Sequence, residues 1–197
     1  MRKIFRTFFL TIILFLSINI LPYVLEENVR ASETSIDYKP NIEYFYKGDI
    51  NNLIDSIGVE ETGDSKLYPH CWDTINYLQM YGRYQFSKIT LIDIGVDTTK
   101  ASLKYFLKHH KFQKECMKNL LRRNLEILDW CVDYKPYLET RINGVNITLS
   151  GVLGASHLGG VGAVRDYLYT NGKKNATDGH RSIADYLKKF ANYYVQI

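Results

Sequence analysis

Cysteine is scarce in this sequence. Its three copies, Cys71, Cys116 and Cys131, form no CxxC or Cys/His pattern that suggests a metal, and three are too few for a disulfide framework. The odd count leaves at least one thiol unpaired, with a single disulfide still open. Cys116 and Cys131 fall in a strongly apolar helical stretch, where buried thiols are expected. Neither charge sign dominates: 25 basic residues face 21 acidic ones, a formal net charge of +4. That excess is too small to argue for nucleic acid. There is no phosphate loop, no Ser-His-Asp order, no heptad register and no internal repeat. Nothing in the sequence requires a metal or a cofactor. A hydrophobic share of 46% with 23% charged residues excludes a disordered or collagen-like chain. The 197 residues suffice for one domain with a real core.

The chain opens like an address. Arg2, Lys3 and Arg6 precede an uncharged apolar run, and Val29-Arg30-Ala31 offers a small-residue cleavage site. We therefore expect a signal peptide over 1–31 and an exported protein, periplasmic or extracellular. An uncleaved N-terminal membrane anchor is the rival reading, since the apolar run from Thr7 to Leu25 is long enough. Four basic and two acidic residues lie within 1–31, so cleavage would lower the balance from +4 to +2. Residues 32–48 read as an extended lead-in, and 49–197 as the folded domain. Tyrosine is plentiful, with 16 copies, either as a compositional bias or because some rings line a groove or stack on sugar.

Helical spacing dominates the rest of the chain. Asp49 can cap a helix over 50–61, and a long irregular stretch occupies 62–81. Ser87 and Gly95 bound a short helix. Asp97 is the expected cap of the next one. Residues 112–132 place Phe112, Cys116, Met117, Leu120, Leu121, Leu125, Leu128 and Val132 on one face, marking the expected central helix. Thr148 caps a glycine-rich helix ended by Gly159-Gly160, and a short helix over 161–169 precedes the Asn171-Gly172 turn. Ser182 and Asp185 have capping-box spacing and open a final helix, IADYLKKFANYY. The fold class is mostly α, a single domain with a long irregular loop.

The first helix ends in Glu60-Glu61-Thr62-Gly63. At about 100° per residue from Ile50, the stripe of Leu53, Ile54 and Ile57 centres near 350°. Glu61 falls at about 20°, inside that stripe, while Glu60 falls at about 280°, on its shoulder, and should point more toward solvent than Glu61. A carboxyl in the stripe loses water, and the helix C-terminus disfavours negative charge. Both effects favour the protonated form, which a general acid needs. A terminal glutamate bent out to water, or neutralised by Lys or Arg, is the plain alternative.

Three separated stretches add a resemblance. Glu61-Thr62-Gly63 resembles the Glu-Ser-Gly motif of soluble lytic transglycosylases and goose-type lysozymes. Gly82-Arg83-Tyr84-Gln85 is similar to their Gly-Leu-Met-Gln segment. The run Gly154-Ala155-Ser156-His157-Leu158-Gly159-Gly160 looks like their Ala-Tyr-Asn-x-Gly stretch. Tyr193 or Tyr194 matches a closing tyrosine. The order agrees, over about residues 50–194. Two departures stand out: Thr62 replaces serine, and Ser156-His157 replaces Tyr-Asn.

The resemblance implies a lysozyme-like fold and cleavage of the β-1,4 bond between N-acetylmuramic acid and N-acetylglucosamine in peptidoglycan. Glu61 would be the catalytic acid/base. Thr62, Tyr84, Gln85, Ser156, His157 and Tyr193 would bind the glycan strand. In the family the sugar's own N-acetyl group traps the cation, so no second carboxylate is needed. Asp64, Asp73 and Glu60 lie nearby in sequence without an assigned position. His157 supplies either a ring donor to substrate or a packed core histidine. Gln85 either meets substrate or braces the loop carrying Glu61. Trp72 and Tyr77 either stack on sugar or cover the core. His109-His110 reads as a solvated helix end. Two rivals from other classes remain: a catalytically inactive lysozyme-like module that binds glycan or the cell envelope, and a membrane-anchored structural protein. A monomer is expected, without nucleic acid and with membrane contact only through the N-terminal segment.

Overall fold

The computed structural model describes residues 49–195, so the expected signal peptide and lead-in, 1–48, lie outside the described residues. Helix α1 spans Ile50–Thr62, and the Asp49 carboxylate caps it by accepting the Asn51 and Asn52 N–H groups. Its buried side chains, Leu53, Ile54 and Ile57, are the stripe read from the sequence. The stretch 63–81 is irregular as expected, with one 3₁₀ turn over Pro69–Trp72. Helix α2, Lys88–Asp93, starts from the Ser87 cap. Helix α3, Lys100–Lys108, starts from Thr99 rather than from Asp97. Asp97 instead accepts from the Thr99 amide and from the Thr99 and Ser102 hydroxyls, bracing the cap from two residues upstream.

Helix α4 spans His110–Cys131 and buries Cys116, Met117, Leu120, Leu121 and Leu128. It is not the central helix. That place belongs to α5, Leu149–Tyr169, which is capped by Thr148 and buried on every side from Ser150 to Ser156. A helix with a polar face must keep that face at the surface, and α4 carries Lys, Arg and Glu on its outer side. The small apolar residues of α5 have no such constraint. Gly160, at φ 74° and ψ 166°, is non-helical and kinks α5 into two helical segments, so the break falls where the sequence placed it. Helix α6, Ile183–Lys189, opens with the capping box of Ser182 and Asp185. It is shorter than expected and packs on α5, with the Phe190 ring against Gly154.

One element was not foreseen. Strands β1, Arg141–Ile142, and β2, Val145–Asn146, pair antiparallel around Asn143-Gly144, at φ 49° and φ 79°. An Asn-Gly pair between β-branched residues is a hairpin signal. The described domain is mostly helical: six helices with a small two-stranded hairpin. Among the described residues no helix is long and apolar enough to cross a membrane. All three cysteines are free. Cys71 and Cys116 are buried, and burial pushes the Cys116 thiol up to about 12. Cys131 is exposed, contrary to expectation, because it lies on the outer face of the last turn of α4 with Asp129 and Trp130, while Leu128 and Val132 take the core side.

Candidate active site

Glu61 occupies the last turn of α1, where the sequence stripe aims it inward. Its side chain is 17% exposed. Oε1 accepts a hydrogen bond from the Tyr186 hydroxyl at 2.6 Å. The same oxygen lies 3.5 Å from Nε2 of His157, whose side chain is 7% exposed. These partners come from α6 and α5, so three helices meet at one carboxyl. The His157 ring also meets Phe86 edge-on, at 6.1 Å between centroids, and its Nδ1 is buried without a hydrogen-bond partner among the described residues. Burial first, then the Glu61 carboxylate, pushes the Tyr186 phenol well above its ordinary range. The phenol therefore stays a donor at any physiological pH.

The turn after Glu61 is tied to the Gly82-Arg83-Tyr84-Gln85 segment. Thr62 Oγ1 is shared between the carbonyls of Gly58 (3.1 Å) and Arg83 (3.0 Å). Arg83 returns a bond from Nη1 to the Gly63 carbonyl at 3.1 Å. The two segments cross at Gly58, where a Cβ would approach to 2.5 Å from Arg83 Nε. Gly63 closes the helix at φ 84° and ψ 179°, a conformation open in practice only to glycine. Arg83 is buried, with its guanidinium carbon 5.1 Å from the centre of the Trp72 ring.

Gln113 holds this frame from α4. Fully buried, it accepts the Arg83 N–H at 2.9 Å and donates to the Trp72, Phe106 and Leu107 carbonyls. One buried amide thus meets four backbone groups: the Arg83 N–H, the Trp72 carbonyl at the end of the 3₁₀ turn, and the Phe106 and Leu107 carbonyls in the last turn of α3. Gln113 and Tyr186 escaped the sequence reading. Tyr186 shares the apolar stripe of Ile183, Leu187 and Phe190, and a hydroxyl inside such a stripe is a detectable signal. Gln113 was detectable as an amide on the buried face of α4.

The structure brings Glu61 and His157 together, while the Thr62 hydroxyl is held by the Gly58 and Arg83 carbonyls. The other expected site residues are engaged elsewhere. Tyr84 is fully buried, edge-on to Trp72 and Phe86, with its phenol raised by burial. Gln85, at φ 50°, donates to the Gly82 carbonyl at 2.8 Å within its own turn. Ser156 is buried and donates to the Val152 carbonyl one turn back. The Tyr193 hydroxyl donates to Ser56 Oγ at 2.9 Å, earlier along α1. Trp72 covers the core and stacks on His110 at 4.6 Å, whereas Tyr77 is 87% exposed.

Glu60 does not face solvent. Only 7% of its side chain is exposed, because Arg181 donates to Oε1 at 2.6 Å and Lys189 reaches Oε2. Burial works against its charge, but the two cations outweigh it and hold the carboxyl below the usual range. Both cations lie more than a hundred residues along the chain, which helix angles cannot anticipate. Beside this triad opens a pocket of about 200 Å³, lined by Glu60, Arg181, Asp185, Tyr186 and Lys189. Among the described residues no group of three or more His, Cys, Asp or Glu could hold a metal ion.

Searches against protein-family models, curated proteins and solved structures return no match to this chain.

Proposed function

We propose that the protein is an exported enzyme that cleaves the MurNAc–GlcNAc β-1,4 bond of peptidoglycan, with Glu61 as its one acid/base group. The observation that carries this reading is the setting of Glu61. It is a largely covered carboxyl at a helix end, braced on one oxygen by a neutral hydroxyl and without a Lys or Arg partner among the described residues. Three stretches that resemble lytic transglycosylase and goose-type lysozyme motifs also converge there, through the Thr62–Arg83, Arg83–Gly63 and Glu61–His157 contacts.

In this reading protonated Glu61 gives its proton to the glycosidic oxygen as the C–O bond breaks. The N-acetyl group of the muramyl sugar holds the developing cation. Tyr186 stabilises the carboxylate left behind. Glu61 then takes a proton from the muramyl 6-hydroxyl, closing an anhydro ring, or from water, giving a reducing end.

Digestion of purified peptidoglycan by wild type and Glu61→Gln, read by mass spectrometry, tests the proposal. Release by wild type and loss in the variant are expected. Equal release by both would overturn the role of Glu61. A second reading, a catalytically inactive lysozyme-like module that binds glycan, is favoured by one observation: the pocket opens beside Glu60, and Glu61 is not in its lining. It predicts strand binding by both proteins without any release.

A further inference from the structure

Tyr68 is 61% exposed, yet its ring is not loose. The ring lies against the backbone of Gly63, where a Cβ would stand 3.0 Å from Cδ2 and 3.4 Å from Cε2. Gly63 is the residue that ends α1 just beyond Glu61-Thr62, and its carbonyl is held by Arg83. The backbone presenting Tyr68 is also fixed. The Leu67 and Tyr68 amides both donate to the Asp64 carbonyl, the Lys66 amide donates to the Asp64 carboxylate, and Pro69 starts the 3₁₀ turn immediately after. The Cδ2–Cε2 edge of the ring is thus seated by the glycine that follows the candidate acid, while much of the ring remains open to water.

We infer that Tyr68 is a stacking platform for a pyranose ring of the glycan strand, next to the bond that Glu61 would cleave. This rests on the proposed peptidoglycan-cleaving function. An aromatic face matches the apolar C–H face of a pyranose, and a ring already held in place loses little freedom on binding. Gly63 acquires a second role: a side chain there would crowd the Cδ2–Cε2 edge and make the ring give way slightly.

The test uses the full chain carrying Glu61→Gln, so that bound strands are not cleaved, and soluble uncrosslinked peptidoglycan strands as the probe in calorimetry. Adding Tyr68→Ala should weaken binding about tenfold, whereas Tyr68→Trp should keep it within about threefold. In the protein with Glu61 intact, Tyr68→Ala should raise KM with little change in kcat, since the ring meets no reacting atom. Equal affinity for the alanine and tyrosine proteins, both folded by circular dichroism, would overturn this assignment alone. No strand binding by any of the proteins would overturn it together with the function on which it rests.

Discussion

Glu60 and Glu61 are neighbours in sequence and opposites in environment. Glu60 is held by two cations, Arg181 and Lys189, which keep it charged. Glu61 meets a phenol and an imidazole instead. The same side chain, one residue apart at the end of one helix, becomes an ion-pair anchor in one case and, in the other, a carboxyl without a Lys or Arg partner among the described residues. A group that must give up and regain a proton cannot be clamped by Arg and Lys, so the comparison separates the structural carboxylate from the candidate chemical one.

The sharpest way to break the comparison is to neutralise each member in turn. Glu61→Gln should lower release of peptidoglycan fragments by about 10²–10⁴-fold. Glu60→Gln should leave it within about threefold. If the two variants lose release equally, the distinction fails. Gln113→Leu attacks the frame that holds Arg83, and through it the turn after Glu61. It strands one N–H and removes the donor to three carbonyls, so unfolding in urea should show a loss of about 2–4 kcal/mol.

Tyr186→Phe sharpens the Glu61 side, because it removes only the hydroxyl. Stability should fall by about 1–2 kcal/mol and fragment release by about tenfold, with the fold intact by circular dichroism. The smallest effect belongs to the Glu60 triad. Both cations remain about half exposed, so solvent screens the pair and Glu60→Gln should cost about 1 kcal/mol at neutral pH. The folded carboxyl is held below its unfolded value, so its contribution is present above about pH 4.3 and is lost as pH falls through the folded value. Thermal melts of wild type and Glu60→Gln should therefore converge in acid. A difference that persists at pH 2 would mean that the side chain acts through packing and not through its charge.

Local signals were legible wherever the relevant partner lies within a few residues. The Asp49, Ser87 and Thr148 caps, the Ser182–Asp185 capping box and the break at Gly160 are each written within one helical turn. The inward aim of Glu61 came from the same periodicity. The Asn143-Gly144 hairpin was equally local, and the weight of the helical pattern masked it. Other features are set by distant parts of the chain. The resemblance offered Tyr193 as a site residue, whereas the tyrosine that meets Glu61 is Tyr186 and the Tyr193 hydroxyl goes to Ser56. Ser156 and His157 are adjacent in sequence, but about 100° of helical turn separates them. The first bonds its own helix and the second faces Glu61.

By itself the sequence determined the helices, their caps and the direction of the Glu61 side chain, because backbone hydrogen bonding and side-chain periodicity act over one or two turns. Only the tertiary structure decided what each carboxylate meets. Glu60 and Glu61 lie on either side of a helix end onto which α6 and the segment before it fold from more than a hundred residues away. Whether a cation or a neutral donor arrives there depends on how α6 packs against α5, and no local rule contains that.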